Sequence, residues 1–244
     1  MNERITKQVL SALEHDRRVD LHRDRVEVGF DDGVATLSGE VSSIAAKRVT
    51  LELTARLPEV TGVVDRLRVR PAEAMGDGAI ADHLERALAA DTVFAEYALY
   101  RQVGAGARRV VRAGGGEGAA GGCWIEIRVE DGVVTLDGDV PSLSHKRLAG
   151  ALAWWVPGSR DVINGLGVEP PEEDNDQEIL DALRIVLEKD PMLDATQIRP
   201  RCKNSIVTLE GWAVSDAQRD LVEFDAWALF GVDGVVNDIE VRRA

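Results

Sequence analysis

The sequence predicts an α+β protein made of three tandem αββαβ modules, each a three-stranded sheet with two helices on one face. Three observations support this prediction: one segment recurs three times, an amphipathic helical pattern precedes each copy, and a serine followed by a second helical pattern comes after it. The recurring segments are residues 33–41, 132–140 and 205–213. Counted from the shared glycine, the copies align over the next 30 residues without a gap. These glycines, Gly39, Gly138 and Gly211, are assigned a role in backbone geometry where the strand ends.

Each module is predicted to open with a helix, because apolar residues recur there at helical spacing. These residues are Ile5, Val9 and Leu13, then Ile80, Leu84 and Leu88, then Leu180, Leu183 and Leu187. An alternating strand follows, and Asp-Gly pairs at 32–33 and 131–132 supply the residues that a two-residue hairpin turn favours. The third module has Asn204-Ser205 at this point, which is a weaker turn signal.

A second helix is predicted after the second strand of each module. Ser43, Ser142 and Ser215 stand where the N-cap of this helix belongs, because a hydroxyl can accept from the free amides of the first turn. In the third module Asp225 falls where the other two helices have leucine. Either Asp225 has a partner or this helix is rotated. A short third strand ends each module.

The modules are predicted at residues 1–71, 76–170 and 175–244. The second is longer because about two dozen residues, at about 99–122, stand between its first helix and its first strand. This segment is rich in glycine and arginine and poor in apolar residues. It is therefore predicted to be a mobile basic loop.

The composition excludes several classes of protein. With 45% apolar and 30% charged residues the chain is globular, and its formal net charge of −14 disfavours a general attraction to nucleic acid. The acidity increases from the first module to the third, so this exclusion applies to the third module and not to the arginine-rich loop. No signal peptide, membrane span or cysteine redox motif is recognised, and a cytoplasmic location is expected.

The sequence contains no motif that predicts chemistry. The histidines do not have the spacing of metal ligands, and neither a phosphate-binding loop nor a nucleophile elbow occurs. No catalytic residue, metal or cofactor is therefore predicted, and an enzyme is the least favoured class.

The D-G-V-x-T-L-x-G-x-V segment, the serine-capped helix and the G-V-x-x-V-x-[DN]-x-[LI]-x-V tail resemble the BON domain of bacterial osmotically inducible and nodulation-related proteins. The resemblance covers essentially the whole chain and implies a non-enzymatic, stress-linked protein. Similar proteins bind anionic phospholipid at the envelope, act as periplasmic chaperones or, in a cytoplasmic relative, sense potassium. We therefore expect binding of a small ion such as potassium or of an anionic partner. A peripheral phospholipid-binding protein, and a holdase or assembly scaffold that uses sheet faces, are the alternatives.

Two groups of residues are candidates for binding. The first lies in the inserted loop and comprises Arg101, Arg108, Arg109 and Arg112. This loop is either a solubilising insertion without a function or an electrostatic tether to anionic lipid, nucleic acid or an acidic surface. The second group lies in the second helix of the second module and comprises Lys146, Arg147, Trp154 and Trp155. Neighbouring tryptophans on a helix scarcely face one core, so contact between modules or copies is favoured over insertion into a membrane.

Asp65, Asn164 and Asn237 occupy equivalent positions just before the last strand of each module. A short polar side chain there can hydrogen-bond its own turn. The alternative is that its oxygen faces an ion, for which potassium is a natural hard cation. The expected partners are thus a small ion or anionic phospholipid, with a protein partner or self-association also open and no specific nucleic acid.

Overall fold

The computed structural model describes residues 2–104, 106–114 and 122–242. The chain divides into two compact units, Met1–Pro71 and Ala72–Ala244. The described residues form six α-helices and three sheets, in the repeated order that the sequence predicts. The prediction of an α+β fold is confirmed.

The first unit is a single αββαβ module. Its elements are α1 (Asn2–Glu14), β1 (Arg25–Asp31), β2 (Val34–Val41), α2 (Ile44–Ala55) and β3 (Gly62–Val69). Strand β2 is central, antiparallel to β1 and parallel to β3. Ile5, Val9 and Leu13 are fully buried beneath the sheet together with Leu37 and Leu67. The helical spacing of the sequence therefore corresponds to the face of α1 that fills the core.

The second unit holds the second and third modules. The second module comprises α3 (Asp77–Ala90), β4 (Ala98–Val103), β5 (Ala107–Arg112), β6 (Trp124–Glu130), β7 (Val133–Val140), α4 (Leu143–Trp154), β8 (Asp161–Asn164) and β9 (Gly167–Val168). The third comprises α5 (Asp176–Lys189), β10 (Ile198–Lys203), β11 (Ile206–Ala213), α6 (Asp216–Ala228) and β12 (Gly234–Val241). Strand β11 is antiparallel to β10 and parallel to β12, as in the first module.

The prediction of a mobile loop at about 99–122 is wrong for the first half of that segment. Strands β4 and β5 form an antiparallel hairpin, and β4 pairs in parallel with β6, which extends the sheet to the order β5-β4-β6-β7-β8 with β9 beside β7. Leu99 anchors the hairpin because its side chain is fully buried. The glycine-rich remainder of the prediction, residues 115–121, lies outside the described residues, as does residue 105.

The three turns between the repeated strand pairs, at residues 32–33, 131–132 and 204–205, place two consecutive residues at positive φ, the conformation of a type I′ turn. The weak signal at Asn204-Ser205 still gives this turn, with φ of 52° and 59°. The carboxylate of Asp176, at the start of α5, accepts from both backbone N–H groups at 2.8 Å. These two donors hold the pKa of Asp176 below its ordinary value. A carboxylate on the first helix therefore fixes a turn that lacks glycine.

The repeated glycines in β2, β7 and β11 are required by a close approach of two backbones. At Gly138 φ is 138°, and a Cβ would lie 2.0 Å from the carbonyl oxygen of Trp124. Gly39 and Gly211 have the same geometry, with a Cβ at 1.9 Å and 2.0 Å from a facing carbonyl oxygen. The three glycines lie inside the strand and not at its end, which corrects their predicted position.

Replacing Gly138 by alanine is expected to lower the free energy of unfolding by about 2 kcal/mol or more, because the methyl group forces β6 and β7 apart at a strained φ. Gly104→Ala is the matched control, since Gly104 also has positive φ, at 61°, but no neighbouring atom within 4 Å. Urea denaturation of both variants measures the difference. Equal losses would mean that φ alone, and not the close approach, requires the glycine.

Candidate functional site

Helix α4 packs against both α5 and α6, so it forms the contact between the second and third modules. Arg147 is the central residue of this contact and its side chain is completely buried. Its Nη2 donates to both carboxylate oxygens of Asp174 at 2.7 Å, and its Nε donates to the carbonyl oxygen of Phe230 at 2.8 Å. Gly231 leaves room for the guanidinium group, because a Cβ there would lie 2.9 Å from Nη2. The predicted binding residue Arg147 therefore joins the two modules.

The neighbouring candidates lie at the same contact. The Lys146 ammonium is 5.0 Å from the centre of the Phe230 ring, and burial together with Arg147 lowers the pKa of this lysine. Trp155 donates from Nε1 to Asp225 Oδ1 at 2.8 Å. Trp154 is half-buried on α4, and its equivalent in α6, Trp227, is fully buried. Three of the four candidates thus contact the third module directly.

Asp225 is the helix residue that breaks the leucine pattern of the repeat, and it has a partner. It is completely buried, with Oδ1 bonded to Trp155, while Oδ2 has no hydrogen-bond partner within the described residues. Burial, reinforced by the adjacent Asp190 carboxylate, raises the pKa of Asp225 to about 8. A carboxyl with this pKa is mostly protonated at neutral pH, which removes the need to bury a charge.

Two of the candidate arginines in the β4–β5 hairpin face helix α3. Arg101 donates to Asp82 at 2.6 Å and to Glu85 at 3.1 Å. Arg109 donates to both carboxylate oxygens of Glu85 at 2.7 Å. The acids of α3 therefore neutralise this pair within the second module.

The other two arginines are also bonded internally. Arg112 donates to the backbone carbonyl oxygens of Tyr97, Ala89 and Phe94, which follow or end α3. Arg108 pairs with Glu126 and lies over the rings of Tyr100 and Trp124, at 3.8 Å and 4.6 Å from their centres. An anion bound by these four side chains would have to compete with partners that the fold already provides.

Asp65, Asn164 and Asn237 make the same local hydrogen bond in all three modules, but Asp65 and Asn237 lie inside β3 and β12 and Asn164 ends β8, which corrects their predicted position before the last strand. Each Oδ1 accepts from the backbone N–H two residues later, at 2.9, 3.4 and 3.2 Å. The two asparagines also donate to the carbonyl oxygens of Lys146 and Arg219 on the second helix. At the first position the remaining carboxylate oxygen pairs with Lys47 at 2.9 Å. These side chains tie the third strand to the second helix.

An exposed apolar position on the open face of every sheet was not predicted from the sequence, and in the first and third modules it forms a pair. Val34 and Val64, the equivalent Ile206 and Val236, and Ile163 of the second module have 37% to 51% of their surface exposed. Their strand neighbours, such as Ala35 and Val207, are fully buried. The signal was available, because the positions five before and 25 after the repeated glycine are apolar in all three copies.

Neither a metal cluster nor a membrane span is found in the part of the chain that the structure describes. No three histidine, cysteine, aspartate or glutamate residues come together there in a way that could hold a metal ion. None of its helices combines the length and the apolar character needed to cross a bilayer.

We expect Asp225→Asn to change the pH dependence of stability. The folded-state pKa of Asp225 is raised, so its contribution is fully present below the ordinary pKa near 4 and is lost as pH rises through about 8. Asparagine imitates the protonated acid, and the variant should gain stability relative to the parent between pH 5 and pH 9. Denaturation at constant ionic strength measures this difference. Asp220→Asn, on the exposed side of the same helix, should give a difference that does not change over that range. A flat difference for Asp225→Asn would contradict the raised pKa.

We expect potassium and sodium chloride to shift the melting temperature equally at matched ionic strength, because the oxygens of Asp65, Asn164 and Asn237 are engaged in the turns. Asn237→Ala should lower stability by about 1 kcal/mol, the value of a typical hydrogen bond, in either salt. If potassium raised the melting temperature more than sodium did, and Asn237→Ala abolished this difference, the side chain would face an ion.

The comparisons with known proteins identify a family. Residues 2–71, 124–170 and 175–243 match the family model described as BON domain. No curated protein matches the chain. Two solved structures of CdsD, a structural protein of the type III secretion system of Chlamydia trachomatis, align with it; one is described as the C-terminal domain. They share 14% and 15% identity, cover 97% and 99% of this chain and 96% and 93% of their own, and give a TM-score of 0.25 in both cases. The three family matches follow the three structural repeats, and the chain belongs to the BON domain family as a tandem-repeat protein.

Proposed function

We propose that this chain is a non-catalytic assembly protein that binds protein surfaces through the open faces of its sheets. The observation that carries the proposal is an exposed apolar residue at the same position of each repeat, Val64, Ile163 and Val236, which Val34 and Ile206 extend to a pair in the first and third repeats. An exposed β-branched side chain leaves apolar surface in water and does not gain the free energy that burial in the core would give. Three sheets that each present such residues are better suited to a partner than to water. The resemblance to BON proteins supports a setting of osmotic or envelope stress.

The distribution of the polar groups supports the same choice. The candidate arginines, the buried Arg147 and the asparagines of the turns are bonded to other residues of their own unit. A potassium ion or a phosphate group bound at these positions would have to compete with those bonds. The open sheet faces can be covered without such a cost.

A second candidate function is peripheral contact with anionic phospholipid. It is favoured by one row of exposed basic side chains on β10, which comprises Arg199, Arg201 and Lys203. This row lies in the module that carries most of the negative charge of the chain. The net charge of the module therefore gave no indication of a basic surface.

The proposal is tested with a client that exposes apolar surface. The B chain of reduced insulin aggregates, and light scattering follows how far the protein delays this aggregation. We expect the parent chain to suppress scattering and the triple variant Val64→Asp, Ile163→Asp, Val236→Asp to lose most of the effect, because charge on the open faces opposes apolar contact. Met192→Asp is the matched control, since Met192 is 70% exposed but lies outside the sheets.

Two results would overturn the proposal. One is a parent chain that leaves aggregation unchanged at a several-fold molar excess. The other is a triple variant, folded as judged by its melting transition, that suppresses aggregation as well as the parent does. Binding of the parent to anionic vesicles at low salt, with no effect on insulin, would favour the second candidate.

A further inference from the structure

The open face of the third sheet has an ordered arrangement of charge. We call this face, made by the outward residues of β10, β11 and β12, the third-sheet face. Side chains alternate along each strand, so Val207 and Leu209 are buried while Ile206 and Thr208 point to the open side. The outward residues are Arg199, Arg201 and Lys203 on β10, Ile206, Thr208, Glu210 and Trp212 on β11, and Val236, Asp238 and Glu240 on β12.

Opposite charges occupy the two edges of this face. The outward row of β10 is entirely basic at residues 199, 201 and 203, while that of β12 ends in Asp238 and Glu240, of which Glu240 is paired with Arg242 at 3.4 Å. The face is therefore nearly neutral on a chain whose formal charge is −14. Such a separation of charge within one small surface suits a partner with the same pattern in reverse.

The face has two apolar patches, one towards each end of the central strand. Ile206 and Val236, near the first end, each have 45% of their surface exposed. At the other end, the indole of Trp212 borders a depression of about 410 Å³ between Arg199 and Glu240. Between the two patches, the one charged residue of the central strand, Glu210, is already paired with Arg201 at 3.1 Å. Apolar patches inside a charged rim are common at protein interfaces.

We propose that the third-sheet face is a symmetric interface between two copies of this chain. A two-fold axis along β11 turns one copy over so that its β10 lies on β12 of the second copy. Arg199 and Asp238 share a cross-strand row, because both pair with Glu210. The rotation therefore brings Arg199 of each copy to Asp238 of the other. It sets each outward residue of β11 against its own copy, so that Ile206 meets Ile206, Trp212 meets Trp212, and the Glu210 residues meet while each is paired with Arg201. An axis across the strands would set basic rows against basic rows.

The predicted dimer is weak and sensitive to salt. Three strands of eight residues or fewer, at ~3.3 Å per residue and ~4.8 Å between strands, give a face of roughly 26 by 14 Å. This is about half of the ~800 Å² that each partner buries in a standard interface. Association should therefore need concentrations from tens of micromolar to millimolar, and added salt should weaken it by screening the edge charges.

The inference rests on the proposed function, because it names a second copy as one partner of an open sheet face. Sedimentation velocity of the full chain from about 10 µM to 1 mM, at low and high salt, measures the association. Two variants give the decisive comparison: an acidic one, Arg199→Glu with Lys203→Glu, and a basic one, Asp238→Lys with Glu240→Lys. Arg184→Glu, on an exposed side of α5, is the control for a change of charge elsewhere.

We expect the parent and the control to dimerise, and each charge variant alone to show a dissociation constant raised roughly tenfold or more, because like rows then oppose. An equimolar mixture of the acidic and basic variants should dimerise again, since residues 199 and 238 then carry opposite charges in both contacts of the pair. Restored association in the mixture cannot come from a loss of folding.

Three outcomes would overturn the inference. A parent chain that remains monomeric at 1 mM and low salt removes it, and the insulin assay then decides separately whether the proposed function stands. Variants that dimerise like the parent assign the association to another surface. If the mixture stays monomeric while the basic row alone governs sedimentation with phosphatidylglycerol vesicles, that row is a lipid contact. Conversely, if the chain dimerises as predicted but does not suppress insulin aggregation, only the proposed function is contradicted.

Discussion

The buried Arg147 is the interaction on which the second unit depends. A guanidinium group taken out of water is tolerated only where opposite charge and hydrogen-bond acceptors replace its hydration. Asp174, in the connection just before the third module, and the carbonyl of Phe230, in the loop between α6 and β12, supply both. One side chain of α4 therefore contacts the connection into α5 and the loop after α6, and it ties the second module to the third.

In the second unit, the helical side and the sheet side of each module therefore have different roles. Helix α4 is covered by α5 and α6, and the charged residues on this side meet partners in the neighbouring module. The opposite side of the two sheets keeps apolar side chains exposed, Ile163 on one and Ile206 with Val236 on the other. A protein arranged in this way interacts with its surroundings through its sheets, which is why the proposed function and the proposed dimer both lie there.

The local features of the fold could be predicted from sequence because short-range rules govern them. The side chains of Ser43, Ser142 and Ser215 cap the second helices, and two-residue turns connect the hairpins. The β4–β5 hairpin was missed because its arginines suggest a solvated loop, whereas their partners are acids of α3 and β6 that lie far away in sequence. The partners of Arg147 and Trp155 lie up to 83 residues away, and no local pattern predicts which carboxylate meets which cation.

Native-state hydrogen exchange of the full chain tests the central claim, that the second and third modules are one cooperative body joined at α4. The amides of β7 and β11, the central strands of the two modules, report the free energy of opening for each. We predict a single common value for the slowest amides of both strands, and an equal decrease in both when Arg147 is replaced by alanine. Two clearly different values in the parent chain, with only one of them lowered by Arg147→Ala, would contradict the account.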